Sequence, residues 1–174
     1  MTVSLYGATV PSFQQLLGSV AGLLDKAEAH VRERGLDADA LIQAALIADM
    51  KSFAYQVKSV AVHSQGAIEG VRAGKFSPDM SEPPATFEGL RARIDQAQAF
   101  MDGITADEVD GLVGRPTRFS FSDRFVRDFL AEDFLLSFSL PNFYFHATTA
   151  YDILRAQGVA LGKVDFLGRT RTIA

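Results

Sequence analysis

Apolar positions along this chain recur mostly at steps of three and four, the period of an amphipathic helix. Val10, Phe13, Leu17, Val20, Leu24, Ala27 and Val31 form one stripe, which predicts a helix over 8–34. Pro11 stands near its start, where a missing N–H costs little, and Gly35 follows Arg32 and Arg34 as a C′ residue. Gly18 and Gly22 read as tolerated small residues rather than as a close helix contact. A short helical segment over 37–48 carries Leu41, Ala44, Ala45 and Ile47, with Asp37 or Asp39 as its cap. Asp49 reads as the cap of a second long helix, 50–73, with Met50, Phe53, Val57, Val60, Ile68 and Val71 on its apolar face and Gly74 at its end.

Residues 75–85, KFSPDMSEPPA, break the period. Three prolines there exclude helix and strand, so the segment predicts a long crossover loop. Phe87, Leu90, Ile94, Ala97 and Met101 predict a third long helix over 86–102, and Thr105 opens a short helical turn that Gly111 or Gly114 ends. The period then changes to two. Arg118-Phe119-Ser120-Phe121 and Phe125-Val126-Arg127-Asp128-Phe129 alternate, which predicts a small β-hairpin, 117–121 with 125–129, turning at Ser122-Asp123. A last helix runs over 131–157, with a kink or break expected at Pro141 and Gly158 as its stop. The tail after Gly158 has no period and is expected to be ordered but irregular, anchored by Val164 and Phe166-Leu167. Four long amphipathic helices with one long crossover predict an all-α four-helix bundle with a β-hairpin before the last helix, in a single domain spanning 1–174.

Composition narrows the function classes. A chain of 174 residues buries roughly 70% of its unfolded surface and needs no staple. It has no cysteine, which removes disulfides, thiolate metal sites and a thiol nucleophile. The net charge is −4 with no basic cluster, which argues against nucleic-acid binding. No apolar run approaches the ~20 residues of a membrane span, and MTVSLYGATVPSF lacks the plan of a signal peptide. A cytoplasmic protein without membrane association is expected. Eight of the fourteen phenylalanines fall between Phe119 and Phe145, so that segment is expected to be dense core or a subunit interface.

Candidate chemistry rests on three histidines. His30, among Glu28, Arg32 and Glu33, reads as a solvated surface residue. His63 and His146 lie mid-helix among apolar neighbours, and Asn142 stands one turn before His146 on the same face. These three form either a metal site or a hydrogen-bonded polar cluster in the core. Phe143, Tyr144 and Tyr151 flank His146 as candidate lining of a ligand pocket. No nucleotide-binding, hydrolase or zinc-protease signature is present.

The run PNFYFHATTAYDILRAQGVALGKVDFLG at 141–168 resembles an uncharacterised, largely bacterial domain-of-unknown-function family in the DinB/YfiT-like superfamily. SLYGATVPSF near the start, Asp49-Met50 and Gln56-Val57 agree with it, and the resemblance covers essentially the whole chain. It implies a four-helix bundle, commonly homodimeric, with a pocket for one divalent metal, nickel or zinc. Superfamily members typically use three histidines, one on the second helix and an H-x-x-x-H pair on the last. His63 stands for the first and His146 for the end of the pair, while Asn142 occupies the remaining position, so the triad is incomplete. The implied activities are a metal-dependent hydrolase or a thiol-dependent transferase, by analogy of fold. Beside them stand a non-catalytic small-molecule-binding protein and a dimerisation module that uses the Phe-rich segment.

Overall fold

The computed structural model describes residues 3–121 and 125–173. Helix α1, Leu5–Arg34, starts earlier than its stripe suggests. Ser4 Oγ accepts the Gly7 N–H at 3.1 Å, and Leu5 joins the buried face. Pro11 therefore lies inside the helix rather than near its first turn. Gly35, at φ 63°, closes the helix as expected.

The segment expected to be helical over 37–48 is shorter. Helix α2 covers only Ala38–Ile42, with Asp37 accepting the Asp39 N–H at 3.0 Å. Leu46 and Ile47 are exposed, so no buried face extends the helix. Asp49 is not a cap. The Phe53 N–H instead bonds the Ala44 carbonyl at 2.8 Å, which reverses the chain, and Ser52 caps helix α3, Phe53–Ala61. A π-helical segment, Val62–Gly66, follows without a break, and helix α4, Ala67–Ala73, continues to Gly74 at φ 68°.

Two π-helical segments interrupt the long helices. Ser64 Oγ donates to the Val60 carbonyl at 2.8 Å, the i−4 side-chain bond that serine often makes inside a helix. A second π-helical segment, Phe134–Ser139, lies between helix α7, Ala131–Asp133, and helix α8, Leu140–Ala156. The disturbance expected at Pro141 takes this form just ahead of the proline, which becomes an early residue of α8. The two segments meet where Ser139 Oγ donates to the His63 carbonyl at 3.0 Å.

Thr86 caps helix α5, Phe87–Asp102, and Thr105 caps helix α6, Ala106–Asp110, which it was expected to open. The hairpin forms as β2, Pro116–Phe121, and β3, Phe125–Leu130; the Ser122-Asp123 turn lies outside the described residues. The strand-free reading of 75–85 is corrected. Lys75–Phe76 forms a short strand, β1, parallel to β2 with Phe76 opposite Phe119. Gly70 makes this possible, because a Cβ there would stand 3.0 Å from the Phe76 ring. The loop beyond is tied down by Lys58, only 3% exposed, which donates to the Asp79 and Ser81 carbonyls at 2.8 and 2.5 Å. The tail is not wholly irregular: helix α9, Lys163–Leu167, packs on α1, and Asp165 accepts the Gly162 N–H at 2.8 Å.

The chain is thus mostly helical with a small three-stranded sheet. Helix α1 packs on α5 and α8, and α3 packs on α5 and α8. Phe13, Phe53, Phe134 and Phe143 are fully buried in the common core. Phe76, Phe119, Phe129, Phe134 and Phe138 form one aromatic cluster that joins sheet to helices, with ring centroids 4.9–6.4 Å apart. No helix among the described residues is long and apolar enough to cross a membrane. Two glycines make opposite predictions in urea unfolding. Gly70→Ala should destabilise by about 1–3 kcal/mol through overpacking. Gly18→Ala, where a Cβ meets nothing within 4 Å, should be neutral or stabilise by up to about 1 kcal/mol.

Candidate functional site

The site lies where α3 and the π-helical segment after it face α8. Gln56 and His63 are seven residues apart, two turns along one helical face. His146 comes from α8 and lies against both. The imidazoles of His63 and His146 are nearly parallel, 16° between planes and 5.5 Å between centroids. Tyr55 meets His146 edge-on at 6.1 Å, and Phe145 does so at 5.3 Å from the outer side. Phe76 and Phe138 stand against His63, each at 5.8 Å.

One hydrogen-bond chain sets the chemistry. Gln56 Nε2 donates to the Lys51 carbonyl at 3.0 Å, so Gln56 Oε1 is the atom turned to His146 Nδ1, at 2.7 Å. An amide oxygen only accepts, so His146 carries its proton on Nδ1 and its lone pair on Nε2. His63 has no hydrogen-bond partner for its buried Nδ1. Burial pushes His63 down to about 3, with the neighbouring His146 adding to the fall, and burial takes His146 down to about 4. Both rings are therefore neutral at pH 7.

The donor set does not fit a three-ligand metal centre. The two rings supply neutral nitrogens, but a zinc or nickel site wants at least a third protein ligand. Asn142 stands one turn from His146, with its Nδ2 donating to the Phe138 carbonyl of its own helix at 2.7 Å; its remaining Oδ1 is a hard amide oxygen that suits zinc or nickel poorly. Nearly parallel rings also send their in-plane lone pairs side by side, whereas ligands of one ion must converge. Among the described residues, no group of three or more His, Cys, Asp or Glu side chains is placed to hold a metal.

The structure separates the other expected pocket residues. Phe143 is fully buried and edge-on to Phe13, in the core rather than beside His146. Tyr144, two residues from His146, falls on nearly the opposite face of α8 and lines a surface depression with Phe166. Tyr151 also packs on Phe166. The residues that do surround His146 are Tyr55, Gln56, His63 and Phe145. Tyr55 and Ser139 carry no motif in the sequence; Gln56 had its signal in the two-turn spacing to His63.

The two depressed imidazoles make stability depend on acid. Between pH 6.5 and about 4 the unfolded chain binds protons that the folded rings do not, so stability falls as pH drops through that window. The slope is at most about 1.4 kcal/mol per pH unit for each ring. Urea midpoints measured from pH 7 to pH 4 should show this fall, and His63→Phe with His146→Phe should flatten it.

Comparison with known proteins places this geometry. A crystal structure of a DinB family member protein from Shewanella denitrificans is similar over 98% of this chain and 95% of that one, at 29% identity and a TM-score of 0.82. A search of curated protein sequences gave no match. Residues 5–167 match the domain of unknown function DUF1993, and the chain belongs to that family.

Proposed function

We propose that this protein binds a small molecule between α3 and α8 and does so without a resident metal. The observation that carries the reading is the Gln56–His146 bond of 2.7 Å, which directs a neutral imidazole's lone pair to Nε2. Such a nitrogen accepts a hydrogen bond from a hydroxyl or amide N–H of a ligand. Tyr55 and Phe145 give a flat aromatic group edges and faces to pack on. The fold in this reading is a DinB/YfiT-like four-helix bundle with an inserted hairpin, built as one domain in a cytoplasmic bacterial protein. The hydrolase or transferase chemistry of the wider superfamily would need a metal-activated water or thiol, and the donor set here is one ligand short of it.

A second reading keeps the metal. His63 and His146 would rotate to converge on one zinc or nickel ion, with Asn142 or water completing the site. The buried, unpartnered His63 Nδ1 favours it. A homodimer is the proposed assembly in both readings. Phe134 and Phe138 belong to the aromatic cluster, so an acidic substitution there would unfold the chain rather than split a dimer. Phe125 and Leu136, 44% and 43% exposed, are the positions to test by sedimentation.

The deciding experiment uses protein purified without a nickel column. It should contain no stoichiometric metal, and added zinc or nickel should leave its Tm unchanged. p-Cresol at about ten times its Kd should stabilise by roughly 1.4 kcal/mol, a Tm rise of about 3–6 °C. His146→Ala should remove that rise. Stoichiometric zinc or nickel, lost in His146→Ala and needed for stability, would establish the second reading instead.

A further inference from the structure

A cleft away from the histidines lies between α1, α5 and the chain that follows α9. We infer that it binds a small phosphorylated molecule that also carries a hydroxyl group. Its volume is about 590 Å³, and its polar lining is Gln14, Gln15, Ser19, Gln98, Arg169 and Arg171. That size suits a small organic ligand. The lining holds two guanidinium groups and no carboxylate, in a chain of net charge −4. Neither Arg169 nor Arg171 forms an ion pair among the described residues. Paired guanidiniums match the planar, bidentate demands of a phosphate better than any other side chain.

Gln98 adds the second half of the specificity. Its Nε2 donates to Asp102 Oδ1 at 2.9 Å, while its Oε1 is buried without a partner. A buried amide oxygen left unpaired is costly, and a turn of the Gln98 side chain toward the cleft would let a ligand hydroxyl donate to it. Asp102, outside the lining, has its Oδ1 taken up by Gln98 Nε2 at 2.9 Å and by Gln14 Nε2 at 3.0 Å.

The tail is built to stay over the cleft. Gln15 Nε2 holds the Leu167 carbonyl at 2.8 Å, and Lys26 pairs with Asp165 at 2.7 Å. Gly168, at φ 59°, then turns the chain so closely over α1 that a Cβ would stand 2.3 Å from Ser19 Oγ. Only glycine fits, and the turn brings Arg169 and Arg171 to the rim. Gly18 leaves the helix surface open below, with nothing within 4 Å of where its Cβ would be.

The test is an NMR titration of the full chain, following the backbone amides of Gly18 and Gly168 in the cleft lining, with glycerol 3-phosphate, inorganic phosphate and glycerate. Glycerol 3-phosphate should bind saturably in the millimolar range or below, more tightly than the other two. Arg169→Ala with Arg171→Ala, both at exposed positions, should weaken it about tenfold or more. Gln98→Met should remove its advantage over inorganic phosphate, and His146→Ala should change nothing. Absence of saturable binding, or binding undiminished in the double arginine variant, would overturn the inference. So would glycerate binding as tightly as the phosphate ester, or an advantage that survives Gln98→Met.

Discussion

A serine hydroxyl holds the two irregular helices together. Ser139 Oγ reaches the His63 carbonyl at 3.0 Å, and it does so from one π-helical segment to another. Each segment inserts extra backbone into a helix and turns every later side chain relative to a regular helix. The Ser139–His63 bond ties these two departures to one another, so their side chains meet at one height. His63 is thereby delivered against His146, and Phe134 and Phe138 are delivered into the cluster under the sheet. Losing that tie would remove one interhelix hydrogen bond, worth about 0.5–1.5 kcal/mol.

The site that results is unusual in being polar but uncharged. Two imidazoles lie against each other, and burial keeps both neutral well below pH 7. Neutrality is what allows them to stack without repulsion. It also makes each a lone-pair donor, to a metal or to a ligand proton. Gln56 decides which nitrogen of His146 is available, because its own orientation is held by the Lys51 carbonyl. His63 and His146 are the two imidazole donors of the site, and Asn142, one turn before His146, donates its Nδ2 to the Phe138 carbonyl within α8.

Most of the fold was legible in the sequence because it depends on burial, which periodicity reports directly. The stripes ending at Val31, Val71 and Met101 lie inside, and the alternation around Phe119 marks the hairpin. Errors came where one local bond overrode the pattern. Ser4 and Ser52 set helix starts that the apolar spacing did not, and the Phe53–Ala44 bond displaced Asp49 from its expected role. β1 was hidden because a two-residue strand beside prolines has no period to read. At the candidate site, His63 and His146 lie ring against ring. Their surroundings are not the ones the sequence suggested. Phe143, Tyr144 and Tyr151 are near His146 in sequence, but Phe143 is packed into the core against Phe13, and Tyr144 and Tyr151 lie beside Phe166. Tyr55 and Gln56, from a different helix, are the actual neighbours.

The account rests on a single tautomer. A long-range proton–nitrogen correlation spectrum of the full chain, labelled with 15N-histidine and recorded at pH 7, reads it directly. The expected result is that His63 and His146 are both neutral, with the His146 proton on Nδ1, and that Gln56→Leu loses that preference. A His146 proton on Nε2, or a charged ring at either position at pH 7, would contradict the account.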